Sequence, residues 1–295
     1  MYRVLVLGGR GMVGHMVSLV LSSQRQFVVK STSSGKLTNY IWLNIVDEFG
    51  SLKEILEKNG PFDYIINCIG ILNSNVNKLD SKSFARTIIV NSYFPHKLAE
   101  IAHGMDAKVI HISTDGVFAQ DMEECVENDP CNCNDTYGRT KELGEVVSSN
   151  YLNIRCSIIG PSPFYHRGLF EWFIGQPRNA KIKGFSNQAW NGVTTFQFAK
   201  LCSLIIKDNY FKIVRKEAPT HHFVPNQITT KYELLKLLNL FFRPDIIVNR
   251  TSILENASSR ILGTSLKSIN KIYDNDLPIK QVIEELSSQL GNQTK

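Results

Sequence analysis

The sequence predicts an α/β fold in which a doubly wound parallel sheet is followed by a smaller C-terminal α/β domain. Short apolar segments alternate with amphipathic segments through the first part of the 295-residue chain. Strands that are apolar on both sides lie inside parallel sheets, because helices cover both faces of such a sheet. Beyond residue 160 the chain becomes rich in aromatic residues, glycine, proline and asparagine, and this change of pattern predicts the second domain.

The spacing of apolar residues predicts the individual elements. Strands are predicted at residues 4–7, 26–30, 64–68, 108–113 and 153–159. Helices are predicted at residues 12–21, 52–58, 91–103, 140–148, 194–207, 232–242 and 279–290. We assign residues 1–157 to the first domain, with 192–218 returning to it, and residues 158–191 and 219–295 to the second.

Composition argues against several classes of partner. The net charge of +6 attracts ligands that carry phosphate, but the basic residues are scattered, so no nucleic-acid partner is expected. No apolar segment approaches the ~20 residues that a membrane-spanning helix needs, so no membrane partner is expected. The N-terminus carries no recognisable secretion signal, and we therefore expect a cytoplasmic location.

A glycine-rich turn lies between the first predicted strand and the first predicted helix, with glycines spaced Gly-x-x-Gly-x-x-Gly. Glycine permits a tight turn, close approach of the backbone to a pyrophosphate, and close packing of helix on strand. The start of the helix adds N–H donors and a positive dipole end. In this context the turn predicts a dinucleotide site in a Rossmann-type domain. The cofactor contacts predicted in it are Gly8, Arg10, Gly11, Met12, Val13 and Gly14.

The end of the second predicted strand favours NADP(H) over NAD(H). An acidic residue there would bind the ribose 2′-hydroxyl of NAD, and the sequence has none. Lys30, Ser31 and Ser33 follow instead, and Arg10 lies within the glycine turn. Basic and hydroxyl groups suit a 2′-phosphate, although Lys30 also fits an exposed loop position.

Tyr137 and Lys141 are four residues apart near the start of a predicted helix, so their side chains share one face. Ser113, Thr114 and Asp115 follow the preceding strand, at the sheet edge where parallel sheets place active sites. This arrangement predicts a catalytic group, with a half-buried structural role for Tyr137 as the alternative.

With these motifs in order, the chain resembles the extended branch of the short-chain dehydrogenase/reductase superfamily. More narrowly, it resembles nucleotide-sugar reductases of the dTDP-4-dehydrorhamnose reductase type. The segments that carry the resemblance are the glycine turn, residues 67–70, Asn91, and residues 112–118, 137–141, 154–160, 187–188 and 194–195.

The resemblance implies that Thr114, Tyr137 and Lys141 form a catalytic triad. Tyr137 would donate a proton to the oxyanion that develops on a keto oxygen, and Thr114 would hydrogen-bond the same oxygen. A free tyrosine has a pKa of about 10. A lysine ammonium ~4 Å away would favour the tyrosinate by roughly three pKa units at an effective dielectric of about 20.

The resemblance also implies further cofactor contacts. Asn44 and Ile45 match an Asp-Ile/Leu pair beside the adenine, and with asparagine here only an amide oxygen can accept from the adenine amine. Asn91 is expected to organise water near Lys141. The remaining cofactor contacts implied are Cys68, Ile69, Gly70, Ser113, Tyr137 and Lys141.

The segment after residue 160 is expected to cover a nucleotide-diphosphate sugar. Aromatic rings stack on a base or a sugar, amides bind hydroxyls, and nearby arginines and lysines suit a diphosphate. The substrate contacts predicted are Thr114, Asp115, Gly116, Tyr137, His166, Gln188, Trp190 and Asn191.

The function implied is NADPH-dependent reduction of a dTDP- or UDP-linked 4-keto-6-deoxy sugar in deoxysugar biosynthesis for a glycan, in a chain that is a candidate homodimer. One alternative is a bifunctional 3-epimerase/4-reductase acting on a UDP-4-keto-6-deoxy-(N-acetyl)hexosamine. Relatives that epimerise use a cysteine, here replaced by Gly116, and a later histidine, for which His166 is the candidate. The other alternative is a non-catalytic NADP-binding regulatory subunit.

No metal site is expected. Cys125, Cys131 and Cys133 lack zinc-ligand spacing and indicate free thiols. Relatives that bind magnesium use an acidic residue near the glycine turn, where this chain has His15 and Met16.

Overall fold

The computed structural model of the chain describes residues 1–47, 49–72, 80–119, 124–253 and 261–291. Its strands are β1 (Tyr2–Leu7), β2 (Phe27–Ser33), β3 (Ile41–Trp42), β4 (Tyr64–Asn67), β5 (Lys108–Thr114), β6 (Glu124–Cys125), β7 (Tyr151–Cys156), β8 (Ile158–Ile159), β9 (Lys181–Phe185), β10 (Ala189–Trp190), β11 (Val193–Thr194), β12 (Thr220–His222), β13 (Thr229–Thr230), β14 (Ile247–Thr251) and β15 (Ile261–Leu262). Its α-helices are α1 (Met12–Ser22), α2 (Leu52–Asn59), α3 (Ser81–Ile88), α4 (Phe94–Gly104), α5 (Thr136–Glu142), α6 (Leu169–Ile174), α7 (Thr195–Lys207), α8 (Phe211–Glu217), α9 (Lys231–Phe241), α10 (Ser268–Ile272) and α11 (Ile279–Gly291). Short 3₁₀ turns lie at Phe49–Ser51 and Asp115–Val117, and a π-helical turn, Ile89–Tyr93, joins α3 to α4.

Seven parallel strands form the central sheet in the order β3-β2-β1-β4-β5-β7-β12. The chain first winds outward from β1 to β3, then crosses back and winds the other way from β4. Because all seven strands run in the same direction, the carboxyl ends of β1 and β4 lie side by side at the point where the winding reverses. Sheets of this kind bind their ligands at that point. This topology confirms the predicted doubly wound fold.

Helices cover both faces of the sheet. On one face α1 packs against α7, with Met16 and Phe198 fully buried between them and the strands. On the other face Phe94 and Leu98 of α4 pack against β1, β4 and β5. Burial on both faces is the physical reason that the central strands β1 and β4 are mostly apolar.

The chain after β8 leaves the sheet and then comes back to it. Helix α7 begins with a capping box between Thr194 and Gln197, and it packs on α1. Strand β12 then adds to the sheet edge beside β7, so the returning segment reaches slightly beyond residue 218, the limit predicted for it. Elsewhere the later chain forms small two-stranded sheets and the helices α6, α9 and α11. No helix within the described ranges is long and apolar enough to cross a bilayer.

The helix predicted at residues 140–148 is displaced in the structure. It begins instead at Thr136, because the Asp135 side chain accepts a hydrogen bond from the backbone N–H of Gly138 at 2.8 Å and caps the helix. It ends before Gly144, where a Cβ atom would lie 2.0 Å from the carbonyl oxygen of Asn91. This earlier start places Tyr137 and Lys141 inside the helix, one turn apart.

Candidate active site

A cleft with a volume of about 980 Å³ opens at the carboxyl ends of β1, β4 and β5. Its lining comes from the glycine turn, the loops after β2 and β4, helix α3, the end of β5, helix α5, and the segment that follows β7. The last lining residue along the described chain is Leu169. The predicted site residues that line it are Gly8, Arg10, Gly11, Met12, Val13, Ser33, Asn44, Ile45, Cys68, Ile69, Gly70, Ser113, Thr114, Asp115, Tyr137 and Lys141.

The glycine turn has the geometry that a pyrophosphate needs. Gly8 has a φ of +77°, which favours glycine, and its N–H donates to the Thr32 hydroxyl at 3.0 Å. Helix α1 follows Gly11 without a side-chain cap, which leaves its first N–H groups directed at the cleft. Gly14 lies behind the lining, where a Cβ atom would stand 2.2 Å from the Gly8 carbonyl oxygen. Gly14 is therefore a packing residue that holds the helix against the turn.

Arg10 carries an unsatisfied donor at the edge of this turn. Its guanidinium lies over the ring of Phe164 at 4.6 Å and near that of Tyr165 at 5.7 Å. Its Nε is buried and has no hydrogen-bond partner among the described residues. The nearby Ser33 lines the same end of the cleft, so this corner fits an anionic group such as a 2′-phosphate.

Two residues predicted beside the 2′-phosphate do not reach the cleft. Lys30 is exposed and its Nζ donates to the Asn59 carbonyl oxygen at 2.8 Å. The Ser31 hydroxyl is bonded to that of Ser18 at 2.8 Å, behind the glycine turn. The physical reason is that β2 extends to Ser33, so Lys30 and Ser31 lie before the carboxyl end of the strand, and only the residues at that end reach the cleft.

The adenine end of the predicted site is already hydrogen-bonded within the chain. The Asn44 amide donates to the Asp47 carboxylate at 2.6 Å, and its oxygen accepts from the Val46 N–H at 3.2 Å. This fixes the amide orientation. One lone pair of the oxygen remains for the adenine amine that the sequence predicts.

Thr114, Tyr137 and Lys141 come together at the carboxyl end of β5. A Cβ atom on Gly116 would lie 3.3 Å from both the Thr114 hydroxyl and the Tyr137 ring, so these two groups flank Gly116. Gly116 itself does not line the cleft. The Thr114 hydroxyl donates to Asp115 at 3.0 Å and accepts from the Gly116 N–H at 3.0 Å, which holds it in place.

Lys141 is 4% exposed, and its ammonium has little access to solvent. Its Nζ donates to the Ile112 carbonyl oxygen at 2.7 Å and lies 3.1 Å from Nε2 of His111. Burial lowers the pKa of Lys141 to about 8, and the charge of Glu145 opposes this only in part. Near pH 8 the lysine is therefore divided between ammonium and amine, whereas an ordinary lysine is almost wholly charged there.

Basic residues outnumber acidic ones in the lining. Arg10, Lys82, Arg86, Lys141 and Arg167 are basic, and Asp80 and Asp115 are acidic. Such an excess attracts phosphate-bearing ligands. Sequence reasoning assigned no site role to the two basic residues of α3. The signal that could have found them is Asp80, which caps α3 by accepting from the Lys82 N–H at 3.0 Å.

His166 points away from the cleft. Its side chain is 75% exposed, and its Nδ1 lies 3.4 Å from the Glu171 carboxylate. It has a φ of +50°, and this turn directs its neighbours Tyr165 and Arg167 to the cleft instead. A sequence pattern does not reveal which residue of such a turn faces inward.

Three other predicted substrate contacts do not line the cleft and have structural partners within the chain. The Trp190 indole N–H donates to the Ser157 hydroxyl at 2.8 Å. The Asn191 amide donates to the Leu262 carbonyl at 2.7 Å and accepts from its N–H at 3.1 Å. Gln188 precedes β10, and its carbonyl accepts the N–H that follows β13. These contacts join separate parts of the chain, and none of the three residues lines the cleft.

Asn91 also has a role other than the predicted one. Its amide oxygen accepts from the Ile71 N–H at 2.8 Å, and its amide nitrogen donates to the Ile71 carbonyl at 2.9 Å and to the Thr140 hydroxyl at 3.2 Å. It therefore clamps the loop after β4 to α5, and its amide is not directed at Lys141.

All six cysteines are free thiols. Burial raises the pKa of Cys68, which lines the cleft, to about 12, so this thiol stays protonated. Within the part of the chain that the structure describes, no group of three or more His, Cys, Asp and Glu residues is placed to hold a metal ion.

Known proteins share this fold and part of this sequence. The family described as RmlD substrate binding domain matches residues 2–174. The dTDP-4-dehydrorhamnose reductase of Mycolicibacterium smegmatis (strain ATCC 700084 / mc(2)155) is 34% identical over 148 residues, which are 48% of this chain. The match spans only 40% of that relative's length.

Two solved structures resemble the whole chain. The dTDP-4-dehydrorhamnose reductase of Bacillus anthracis, crystallised in complex with NADP, superposes with a TM-score of 0.76 at 17% identity, over 98% of this chain and 99% of that one. The dTDP-4-dehydrorhamnose reductase of Clostridium acetobutylicum superposes with a TM-score of 0.73 at 19% identity, with the same coverage of 98% and 99%. At this level of identity the likeness shows a shared fold.

Proposed function

This chain belongs to the RmlD substrate binding domain family, and on that premise we propose that it is an NADPH-dependent reductase of a nucleotide-linked 4-keto-6-deoxy sugar. The family match confirms the resemblance predicted from the sequence. The observation that carries the proposal is the convergence of Thr114, Tyr137 and Lys141 on the cleft that the glycine turn opens. The curated relative and both solved structures are reductases of dTDP-4-dehydrorhamnose by name, so the dTDP-linked sugar is the first substrate to test.

The cleft fits NADPH on features of its own. The turn at Gly8 accepts no side chain, α1 starts without a cap, and the buried Nε of Arg10 has no partner among the described residues. The backbone of the turn would hold the pyrophosphate and Arg10 the 2′-phosphate. When bound, NADPH supplies the hydride.

The chain's own residues supply the proton. Tyr137 would donate its hydroxyl proton to the substrate oxygen as negative charge develops there. The Thr114 hydroxyl is held by the Gly116 N–H, and it would hydrogen-bond the same oxygen by turning its single proton from Asp115 to the substrate. Lys141 lies one helical turn from Tyr137 and would stabilise the tyrosinate that remains.

Basic residues on the substrate side suit a diphosphate. Lys82 and Arg86 line the cleft from α3, and Arg167 lines it from the loop opposite. Charges on both walls would bind the diphosphate of the nucleotide sugar and so favour it over the free sugar, which has no diphosphate.

The epimerase alternative gains no support from the site. Gly116 has no thiol, His166 lies outside the cleft, and Cys68 has a pKa near 12 because it is buried. We therefore propose reduction without epimerisation. Incubation with the 4-keto sugar in D₂O without NADPH tests this directly, because deuterium at a ring carbon would show the proton abstraction that epimerisation requires.

The main experiment follows NADPH absorbance with dTDP-, UDP- and GDP-linked 4-keto-6-deoxy sugars. We expect turnover with the dTDP-linked sugar and loss of turnover in Tyr137→Phe, which retains the ring but has no proton to give. A protein that binds NADPH and turns over none of these sugars would instead fit the regulatory-subunit alternative. If Tyr137→Phe kept full activity, the proposed proton donor would be wrong.

A further inference from the structure

Two polar side chains lie at the centre of the apolar sheet, directly behind Lys141. Asn67 ends β4 and His111 lies on β5, and the two residues are partners in the parallel register. Both are 0% exposed. A polar group buried this deeply is costly unless each of its donors and acceptors is satisfied. The hydrogen-bond geometry therefore determines which atoms carry protons.

The orientation of the Asn67 amide follows from its neighbours. The Ile69 backbone N–H donates to its Oδ1 at 3.1 Å. Its Nδ2 therefore faces Nδ1 of His111, at 2.9 Å. A reversed amide would set two donors against each other at Ile69. Nδ1 of His111 is thus an acceptor, and the neutral imidazole carries its proton on Nε2.

His111 cannot relieve this arrangement by taking up a second proton. A proton on Nδ1 would face the Asn67 amide N–H, donor against donor. Burial, reinforced by the charge of Lys141, also holds the pKa of His111 well below its usual value. The ring therefore presents a fixed N–H to whatever lies beyond Nε2.

Nζ of Lys141 lies beyond it, at 3.1 Å. An ammonium has three N–H donors and no lone pair, so it cannot accept from the Nε2–H of His111. A neutral amine can accept from that N–H and still donate to the Ile112 carbonyl oxygen at 2.7 Å. The local hydrogen bonding therefore favours the amine over the ammonium.

The other groups around Lys141 do not reverse this preference. Cys68 and Cys156 are buried thiols whose pKa values are raised by burial, so they carry no charge at neutral pH. Glu145 is the acidic group nearby, and its carboxylate is already bonded to the guanidinium of Arg155 at 2.6 Å. Tyr137 lies on the same helix and is the group that the proposed reaction deprotonates.

We propose that Asn67 and His111 are positioning residues that make Lys141 a proton donor to Tyr137. Lys141 would then gain and lose its charge during the reaction and would not be permanently charged. This inference rests on the proposed function. After Tyr137 has given its proton to the substrate oxygen, the tyrosinate takes one proton from the Lys141 ammonium. An O–H bond forms and an N–H bond breaks. The lone pair left on Nζ then accepts from the Nε2–H of His111.

The cycle closes without any change in His111. Lys141 regains a proton from bulk solvent through the cleft that it lines, which is the one proton that the reduction consumes, and the imidazole keeps its single proton throughout. His111 acts through Lys141 and needs no contact with substrate. Asn67 acts one step further away, by fixing which nitrogen of the imidazole is protonated.

The pair is tested first on the unliganded wild-type protein. We expect ¹⁵N spectra of histidine-labelled enzyme to show His111 as the Nε2–H tautomer at neutral pH, with the signal identified by its loss in His111→Gln. An Nδ1–H tautomer or a charged ring would overturn the proposal. This measurement needs no substrate, so it is independent of whether the proposed reaction is correct.

The second test measures the titration of Lys141 by NMR of ¹³Cε-labelled lysine, with the signal assigned by its loss in Lys141→Met. In His111→Gln an amide oxygen can turn to the ammonium, so we expect the midpoint to rise by about one pH unit, a tenfold change in proton affinity. Tyr151→Phe is the matched control. Its ring lies 5.7 Å from that of His111, and its hydroxyl lies beside Asn67, whose amide is held by Ile69 and His111, so the midpoint should move far less than in His111→Gln. Equal shifts of the Lys141 midpoint in both variants, or no shift in His111→Gln, would contradict the proposed role of Asn67 and His111.

The third test uses the reaction itself. The alkaline limb of the pH profile for NADPH oxidation should move upward in His111→Gln by the same amount as the NMR midpoint, and move far less in Tyr151→Phe. A fall in rate without a moved limb would show a merely structural role. If wild-type enzyme turns over no 4-keto sugar, the proposed function fails. The two NMR tests would still show whether Asn67 and His111 control the protonation of Lys141.

Discussion

Two basic side chains are buried at the same end of the sheet, and their surroundings differ in one respect. Arg155 is 5% exposed and forms two hydrogen bonds with Glu145, at 2.6 and 2.8 Å. Lys141 is 4% exposed, and its described hydrogen-bond partners, His111 and the Ile112 carbonyl, carry no negative charge. One buried cation is neutralised and the other is not.

The neutralised cation organises structure. Glu145 also accepts from the Ser113 hydroxyl at 2.6 Å, and Arg155 reaches Cys131 at 3.2 Å and His222 at 3.4 Å. These contacts tie β5, β7 and β12 together at their carboxyl ends. Pairing with Glu145 raises the pKa of Arg155 against the effect of burial, so this charge is permanent. The Lys141 charge is not stabilised in this way, and it can therefore be gained and lost during a reaction.

The largest effect expected from this contrast is on turnover in Lys141→Met. Loss of the lysine should lower kcat about 10³-fold, because the tyrosinate would lose its stabilising charge and its proton source. NADPH binding should weaken far less than the rate falls. Circular dichroism and NADPH titration provide the controls, and a variant that kept wild-type kcat would place Lys141 outside the chemistry.

Arg155→Met should act mainly on stability, in contrast to the effect of Lys141→Met on turnover. It leaves Glu145 buried without its partner, so the free energy of unfolding should fall by about 3–5 kcal/mol, measured with denaturant. The double variant Arg155→Met/Glu145→Leu removes both charges and should recover most of that loss. If Arg155→Met unfolded at the wild-type denaturant concentration, the contrast between the two cations would not hold.

The unpaired lysine should also make stability depend on pH. Its pKa is about 8 in the folded protein and about 10.5 when unfolded, so the unfolded state binds more protons between these values. Stability is therefore lowest below pH ~8 and should rise by about 2–3 kcal/mol as pH increases to ~10.5. The gain should be absent in Lys141→Met. Parallel pH curves for the two proteins would show that the buried amine is not the cause.

Arg10 extends the comparison to the other end of the cleft, where the buried Nε of a guanidinium has no partner among the described residues. Arg10→Leu should weaken NADPH binding by about 2 kcal/mol, roughly 30-fold, and leave NADH binding nearly unchanged. Fluorescence titration with both cofactors measures this difference. Lys30→Leu is a suitable control, because Lys30 points to Asn59 and should affect neither cofactor. Equal losses for both cofactors would indicate a general packing role for Arg10.

The smallest effect is expected at Gly116. A methyl group there would lie 3.3 Å from the Thr114 hydroxyl and from the Tyr137 ring, so these groups must shift slightly. Gly116→Ala should raise the barrier by about 1 kcal/mol, roughly a fivefold loss of kcat/KM, with NADPH affinity unchanged. An unchanged rate would mean that the spacing between Thr114 and Tyr137 is not critical.

Local sequence signals predicted much of this molecule. The alternation of apolar strands and helices predicted the parallel sheet, because burial on both faces leaves a pattern within each strand. The glycines at 8, 11 and 14 and the spacing of Tyr137 and Lys141 are likewise signals within one turn or one helix. The catalytic and binding roles of these residues stay predictions that the variants above test.

Contacts between distant parts of the chain could not be predicted in the same way. His111 lies 44 residues from Asn67 and 30 from Lys141, and in the sequence it is one member of a strand. Because β2 extends to Ser33, Lys30 and Ser31 lie short of the strand end that reaches the cleft, and strand ends are poorly marked in sequence. Asn191 has the chemistry of a sugar ligand, but a partner 71 residues away engages its amide.

The described lining of the cleft ends at Leu169. The stretch that the family match covers, residues 2–174, therefore contains all of it. If both ligands bind in this cleft as proposed, a mutational library aimed at sugar or cofactor preference can be confined to one contiguous part of the coding sequence. The remaining third or more of the gene is then open to changes that improve expression and thermal tolerance, selected separately and recombined afterwards.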